Sequence, residues 1–196
     1  QKDIPKVFLQ ALVAVEDSNF YEHGGIDIKG IARAAWHDLT TMSFQQGAST
    51  LTQQLSRNLF LKPDKTPRRK VQEMLLAMEI EQRYSKDEIL RMYCNQVYMG
   101  HGHYGLEAAS QFYFGKHAPE LDLAESALLA GLIQRPEGLS PFKNPAASLR
   151  RRGHVLERMV ADGTVTPEQA EEAKRAPLVL SSRHDATDIA PYFVEE

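Results

Sequence analysis

The sequence predicts a predominantly helical fold, and three observations support this prediction. Apolar residues recur at intervals of three and four along most of the chain, which is the spacing of one helix face. Serine, threonine, aspartate or asparagine repeatedly stands just before such a stretch, often with proline next, as at helix starts. No stretch alternates polar and apolar residues convincingly, and Leu178-Val179-Leu180 is at most a short extended piece.

The predicted helices follow one another along the chain. Two of them begin with a capping-box spacing, at Ser85 to Glu88 and at Asp122 to Glu125. The fourth runs to about Tyr84, and the helix that begins near residue 144 is stopped by Gly163. In chain order, the predicted starts are Asp3-Ile4-Pro5, Asp27, Ser49, Thr66-Pro67, Ser85, Asp122, Asn144-Pro145 and Thr166-Pro167.

Length and composition fit one globular domain. A chain of 196 residues can bury a real core, and 42% hydrophobic with 25% charged residues argues against disorder. A net charge of -3 gives no case for nucleic-acid binding. The single cysteine, Cys94, excludes an internal disulfide and a thiolate metal cluster. No window approaches the roughly 18 to 20 apolar residues of a membrane-spanning helix, and a start at Gln1 leads us to expect a fragment of a longer protein.

The fourth predicted helix places a carboxylate among apolar residues. Val71 and Leu75 lie on one apolar side, while Leu76 and Ile80 cover much of the other, which predicts a central, buried helix. Glu73 projects into this apolar surface and is expected inside the protein or on the floor of a cleft. A carboxylate there must be paired, hydrogen-bonded or protonated.

Three cations, Arg68, Arg69 and Lys70, occupy the first turns of the same helix. The helix macrodipole disfavours cations at this end. Cations next to exposed N-terminal amides make an anion site, for which phosphate is the natural ligand. The alternative is that these side chains reach solvent and that Glu73 is a structural partner of Arg69 or Lys70.

An acidic block follows the first helix and admits three interpretations. Glu16, Asp17, Glu22 and His23 could mark a solvated helix end, a metal site or an acid/base centre. One histidine without a thiolate disfavours a dedicated zinc site. Two separated acids, Glu16 and Glu73, fit glycosyl chemistry, in which one carboxylate manages a proton and another stabilises charge.

Five blocks occur in the order found in one known family. They are EDSNFYEHGG at 16–25, QGASTLTQQLSRN at 46–58, RKVQE at 69–73, the stretch that begins at Ser85-Lys86 and ends with YCNQVYMG at 93–100, and GLEAA at 105–109. Together they resemble the peptidoglycan glycosyltransferase domain of bifunctional class A penicillin-binding proteins and of monofunctional transglycosylases. Each block alone is weak, but the ordered set, within about residues 16–145, is very specific.

The resemblance implies an all-α, lysozyme-like fold with a larger lobe and a smaller, membrane-facing lobe. The domain would span residues 1–180, with the small lobe at about 27–62. Residues 181–196 would be a linker towards a missing transpeptidase domain, because residues 189–194 resemble the segment leading into that domain.

The resemblance also implies a reaction. A growing undecaprenyl-pyrophosphate-linked glycan, the donor, would be joined to the 4-hydroxyl of a new lipid II, the acceptor, with inversion at the anomeric carbon. The implied partners are lipid II, the growing glycan and a membrane surface, without nucleic acid. The implied place is the outer face of the bacterial cytoplasmic membrane, with the anchor missing from this fragment.

Site residues follow from the matched motif positions. Glu16 matches the general base, and Glu73 matches the second essential glutamate, near the donor pyrophosphate. Arg69 and Lys70 match the basic pair beside that leaving group. No cofactor is obligatory, although a divalent cation, Mg or Mn, can accompany the residue at the Glu73 position, so no metal ligand is assigned firmly. The remaining implied substrate-binding residues are Asp17, Phe20, His23, Thr50, Gln54, Arg57 and Asn58.

Three positions depart from the family pattern. Ala48 stands where glycine is usual, Arg57 where lysine is usual, and Arg91 where glutamate is often found. Arg57 keeps the charge and can grip phosphate bidentately, so the reaction is expected to survive. The other two departures bear on loop geometry.

Two other readings of the whole chain stay open. A lysozyme-like hydrolase or lytic transglycosylase would cut glycan strands, but a neutral glycosidic bond needs no basic cluster of the kind near Glu73. A non-catalytic helical module would bind glycan or protein, and it predicts that Glu16 and Glu73 can be replaced without loss of activity.

Two surface segments carry separate expectations. The stretch from Trp36 to Phe44 would either dip apolar side chains into a bilayer or pack them in the core. The run Arg150-Arg151-Arg152 is expected to be a solvated helix face in preference to a contact with lipid headgroups.

Overall fold

A computed structural model describes residues 4–33, 49–61 and 66–181 of the chain. Within these ranges the only pairing of β type is an isolated bridge between Tyr98 and Tyr104, which confirms the all-α prediction. A helical stretch begins at residue 28 and is described to residue 33. The α-helices are α1 (Lys6–Glu16), α2 (Leu51–Phe60), α3 (Pro67–Arg83), α4 (Lys86–Gln96), α5 (Leu106–Phe114), α6 (Leu123–Leu132), α7 (Pro145–Ala161) and α8 (Pro167–Arg175), with a 3₁₀ helix at Ala118–Glu120.

Helix starts follow the predicted capping residues. Ser85 and Asp122 form capping boxes at the starts of α4 and α6, and Thr166 does so at the start of α8. Thr66 accepts a hydrogen bond from the backbone N–H of Arg69 at the start of α3. These contacts satisfy N–H groups that have no partner within the helix, which is why such starts can be read locally.

Three starts differ from the predictions. The cap of α2 is Thr50, whose hydroxyl accepts from the backbone N–H of Gln53, and not Ser49. Helix α1 follows Pro5 without a side-chain cap, and Asp3 lies outside the described residues. Helix α5 is absent from the predicted helices, because it follows Gly105. This residue has a φ of 81°, which favours glycine, and it has no side chain that could cap the helix.

The central buried helix is α6 and not α3. In α3 only Glu73, Ala77 and Ile80 are buried, while Val71 and Leu75 are 56% and 57% exposed. Helix α3 packs against α2 and α4 and therefore needs only one buried face. Helix α6 packs against α1, α7 and α8, and its residues from Ser126 to Leu132 are all buried.

This packing brings the end of α1 close to the start of α2. Helix α1 lies on α6 and α7, and α2 lies on α3 and α4. One contact between the two groups of helices is made by Asp17, directly after α1, whose carboxylate accepts from the backbone N–H of Leu51 at 2.9 Å. No described helix has both the length and the apolar character needed to cross a bilayer.

Candidate active site

A cavity of about 560 Å³ lies at the end of α1, bordered by α2 and α7. Five predicted site residues line it: Glu16, Asp17, Thr50, Gln54 and Arg57. Further polar lining comes from Asp27, Arg33, Ser49, Gln134, Arg151, His154 and Arg158. Acidic and basic side chains therefore converge on the point where α1 ends.

Glu16 is the last residue of α1 and projects into this cavity with 13% of its side chain exposed. Its Oε2 accepts a hydrogen bond from Gln54 Nε2 at 3.0 Å. Burial raises the pKa of the Glu16 carboxyl, because desolvation disfavours its charged form, while the Gln54 hydrogen bond, Arg151 and Arg57 oppose that increase. A carboxylate with a raised pKa that still faces a cleft suits the role of a general base.

Arg151, on α7, is a component of the site that the sequence did not indicate. Its Nη2 lies 4.0 Å from Glu16 Oε1, and its Nε donates to the carbonyl of Gly131. Arg152 is only 3% exposed and donates to the carbonyls of Lys174 and Ala176, each at 2.9 Å.

The expected solvated arginine face is therefore wrong for two of its three members, and only Arg150 is exposed. A helical wheel offers one signal for this arrangement. Arg151, His154 and Arg158 share one side of α7 and line the cavity, whereas Val155 and Met159 are buried.

The first acidic block forms a hydrogen-bonded connection between α1 and α2. Asp17 accepts from Leu51 N and, at 3.0 Å, lies next to His23 Nε2. Gly25 N donates to His23 Nδ1, so the neutral ring carries its proton on Nε2 and donates it to Asp17. The Thr50 hydroxyl donates to the Gly25 carbonyl at 2.7 Å.

These contacts give Asp17, His23 and Thr50 partners within the protein. Phe20 is fully buried, with Lys86 Nζ 4.4 Å from its ring centroid. Phe20 and His23 do not line the cavity, and Asn58 is exposed on α2. Their assignment as substrate-binding residues stays a prediction.

Glu73 is 1% exposed and sits with two cations. Lys70 Nζ lies 3.4 Å from Glu73 Oε2. Arg69 Nε lies 3.1 Å from Glu73 Oε1, but the angle does not suit a hydrogen bond, so this contact is an ion pair only. Lys70 Nζ also donates to Ser49 Oγ at 2.7 Å and to Gln53 Oε1 at 2.9 Å. Because Ser49 lines the cavity, Lys70 connects the Glu73 cluster to its rim.

The donor groups beside Glu73 do not fit a divalent cation. Magnesium prefers several oxygen ligands, but the two groups beside this carboxylate are the cations of Arg69 and Lys70. In the described part of the chain, no three His, Cys, Asp or Glu side chains are grouped so as to hold a metal.

Another residue that the sequence did not indicate is Tyr93, on α4. Its hydroxyl donates to Gln54 Oε1 at 2.8 Å, on the side of the amide away from Glu16. His101, for which the sequence gave no role, contacts Ser140 instead, at 2.7 Å, and does not line the cavity.

Comparison with known proteins agrees with this architecture. The family described as Transglycosylase matches residues 1–160. Penicillin-binding protein 1A of Aquifex aeolicus (strain VF5) is 46% identical over 192 residues, which are 98% of this chain and 26% of that protein. Penicillin-binding protein 2D of Bacillus subtilis (strain 168) is 44% identical over 196 residues, which are 99% of this chain and 28% of that protein.

Penicillin-binding protein 1A of Pseudomonas aeruginosa is 41% identical over 194 residues, covering 98% of this chain and 24% of that protein. The chain thus spans about a quarter of the length of these relatives. The crystal structure of penicillin-binding protein 1A from Haemophilus influenzae superposes with a TM-score of 0.52 at 24% identity, covering 91% of this chain and 17% of that one, and this likeness bears on the fold alone. The ordered motifs, the all-α fold and the family match together establish that the chain belongs to the transglycosylase family.

Proposed function

We propose that the chain is a peptidoglycan glycosyltransferase that polymerises lipid II into β-1,4-linked glycan strands. The observation that carries this proposal is the pairing, in one cavity, of a carboxylate of raised pKa, Glu16, with the cations Arg57 and Arg151. Family membership supports the same reaction class.

In this reaction Glu16 acts as the general base. It takes the proton from the 4-hydroxyl of the acceptor sugar as that oxygen attacks the anomeric carbon of the donor. The new C–O bond forms on the face opposite the leaving group, and the bond to undecaprenyl pyrophosphate breaks, which inverts the anomeric carbon. A positioned base contributes about a hundredfold to ten-thousandfold to such a step.

The leaving pyrophosphate needs cations and no proton donor, and the cavity fits this requirement. Asp17 is engaged by Leu51 N and His23. Burial by itself would raise the pKa of Asp27, but hydrogen bonds from Gly30 N and Asn19, together with nearby charge such as that of Arg33, lower it overall. Both carboxylates are thus engaged by groups of the protein, whereas Arg57 and Arg151 in the same lining place positive charge in the cavity. The described lining therefore favours transfer from a pyrophosphate over cleavage of a neutral glycosidic bond.

We assign the leaving group to the side of the cavity near Ser49 and Lys70. Lys70 and Arg69 offset the charge of Glu73 and leave one positive charge over. Arg57 provides a further cation in the cavity wall. Glu73 then orients this cationic group, and no step passes through a metal ion.

A membrane surface is the proposed setting, at the outer face of the bacterial cytoplasmic membrane. Val71 and Leu75 on α3, with Phe60 at the end of α2, expose large apolar side chains of the kind that enter a bilayer interface. Residues 36–44, for which the sequence leaves insertion into a bilayer and packing in the core both open, lie outside the described residues. A Val71→Ser, Leu75→Ser variant should bind anionic liposomes more weakly than the wild-type chain in a sedimentation assay, and unchanged binding would remove this support.

We further propose that the longer protein carries a transpeptidase domain after residues 181–196. This proposal rests on the resemblance of the tail and on the relatives named penicillin-binding proteins. Labelled penicillin should acylate the full-length protein and leave the 196-residue chain unlabelled.

The function is tested by incubating the chain with labelled lipid II and separating products on a gel. Wild type should form polymer that muramidase digests, and a folded Glu16→Gln should form none. The same proteins are then incubated with purified peptidoglycan. Release of soluble sugar there, without polymer from lipid II, would identify a hydrolase instead, and inactivity in both assays would favour the binding module.

A further inference from the structure

We propose that Tyr93 is a positioning residue for the general base, because its hydroxyl fixes the Gln54 amide so that the amide NH₂ faces Glu16. This inference rests on the proposed function. It concerns a residue that does not line the cavity and so does not touch substrate.

The three side chains form a directed series of hydrogen bonds. Tyr93 OH donates to Gln54 Oε1 at 2.8 Å, and Gln54 Nε2 donates to Glu16 Oε2 at 3.0 Å. Each contact in the series joins a hydrogen-bond donor to an acceptor. The direction of donation runs from the protein interior to the carboxylate.

The direction matters because an amide has two unlike ends. If the Gln54 amide were turned over, its oxygen would face an ionised carboxylate, and the Tyr93 hydroxyl would lose the acceptor it has in this arrangement. A buried hydroxyl without an acceptor carries a desolvation penalty. Tyr93 therefore selects the one orientation in which Gln54 stabilises the ionised Glu16.

The surroundings of Tyr93 keep it in place as a donor. Its side chain is only 1% exposed in the core between α4 and α2. Burial, reinforced by the charge of Glu16, raises the pKa of the Tyr93 phenol well above its ordinary value, so the hydroxyl keeps its proton. The capping box at Ser85 fixes the start of the same helix.

The pKa of Glu16 depends on groups from several elements. Arg151 from α7 and Arg57 from α2 lower it, and the neighbouring Asp17 raises it. Farther charged or titratable groups in the cavity wall are Asp27, Arg33, His154 and Arg158. Replacing Tyr93 by phenylalanine leaves all these charges in place, which isolates the effect of the hydrogen-bond series.

The test compares Tyr93→Phe with a matched control, Tyr113→Phe. Tyr113 is also fully buried and donates to a backbone carbonyl, that of Met99 at 2.9 Å, but it lies outside the cavity. With lipid II as substrate, Tyr93→Phe should lower kcat about tenfold, leave KM within about twofold, and move the acid limb of the pH profile up by about one unit. Tyr113→Phe should keep the wild-type profile.

A double-mutant comparison separates positioning from general loosening of the core. In a Gln54→Ala background, Tyr93→Phe should cause no further loss of kcat, because the hydroxyl acts through Gln54. An equal loss in both backgrounds, or an unchanged pH profile in Tyr93→Phe, would overturn the proposal.

A second readout does not depend on polymer formation. The Glu16 carboxyl is followed by carbon-13 NMR across a pH titration, with Glu16→Gln to identify its signal. Tyr93→Phe should raise the measured pKa by about one unit, and an unchanged pKa would refute the positioning role. If the pKa rises in a chain that makes no polymer, the proposed function fails while the hydrogen-bond series stands.

Discussion

Replacing Arg151 by methionine should raise the pKa of Glu16 and shift activity to higher pH. Methionine keeps much of the side-chain volume but removes the cation 4.0 Å from Glu16 Oε1. Two unit charges at that distance interact by about 1 kcal/mol in water and by about 4 kcal/mol at an effective dielectric constant of ~20. With 15% and 13% of the two side chains exposed, the interaction lies between these limits.

One pKa unit corresponds to about 1.4 kcal/mol, so the Glu16 pKa should rise by about one to two units. The sign follows from the base mechanism, which needs the ionised carboxylate. Removing a cation favours the protonated form, so the acid limb of kcat/KM moves to higher pH. Above that limb, most of the rate attributable to the base should return.

The assay is initial-rate polymerisation of lipid II over a pH series, with circular dichroism to verify folding. Arg150→Met is the matched control, because Arg150 is the exposed neighbour on the same helix, and it should leave the profile unchanged. Arg151→Lys keeps a positive charge and should fall between the two. An acid limb at the same pH in Arg151→Met and wild type would refute the electrostatic role of Arg151.

Further predictions concern stability and close packing. Glu16→Gln should raise the melting temperature near neutral pH and lose this advantage in acid. The raised pKa of Glu16 makes a contribution to stability that is fully present below the pKa of the unfolded chain and is lost as the pH rises through the pKa of the folded chain, where the buried carboxyl ionises. Equal melting temperatures of the two proteins at neutral pH would contradict this prediction. Gly131→Ala should reproduce part of the Arg151→Met profile, since its Cβ would lie 2.9 Å from Arg151 Cγ; a wild-type pH profile would show that Arg151 adjusts without leaving Glu16. Gly25→Ala should lower the free energy of unfolding by more than about 1 kcal/mol, because φ is +93° and the Cβ would lie 2.9 Å from the Ala77 backbone; urea unfolding measures this, and an unchanged midpoint would contradict it.

Local features of the fold could be predicted from sequence because their contacts span few residues. The capping boxes at Ser85 and Asp122 join residues three apart, so the pattern contains both partners. Helix α5 lacks such a local pattern, because Gly105 before it provides a backbone conformation and no capping side chain. The burial of α3 was misjudged, because apolar residues such as Val71 reveal periodicity but not how many sides are covered.

The candidate site was only partly accessible to sequence reasoning. Glu16 stands out in the sequence by its block, whereas its burial and raised pKa follow from the packing around it, and its role as the base stays a prediction. Arg151 approaches it from the other end of the chain, and only the packing of α1 against α7 brings them together. Tyr93 resembles any buried aromatic residue until its hydroxyl is seen to contact Gln54.

The hydrogen bond from Leu51 N to Asp17 has a consequence for how the site responds to motion. Asp17 follows Glu16 directly, and Leu51 begins the helix that carries Gln54. A rigid displacement of α2 would therefore pull on the residue next to the base while it carries the amide that the base contacts. Glu16 and Gln54 would therefore move together. A cleft that widens or narrows around a long glycan would then keep the distance between the Glu16 carboxylate and the Gln54 amide.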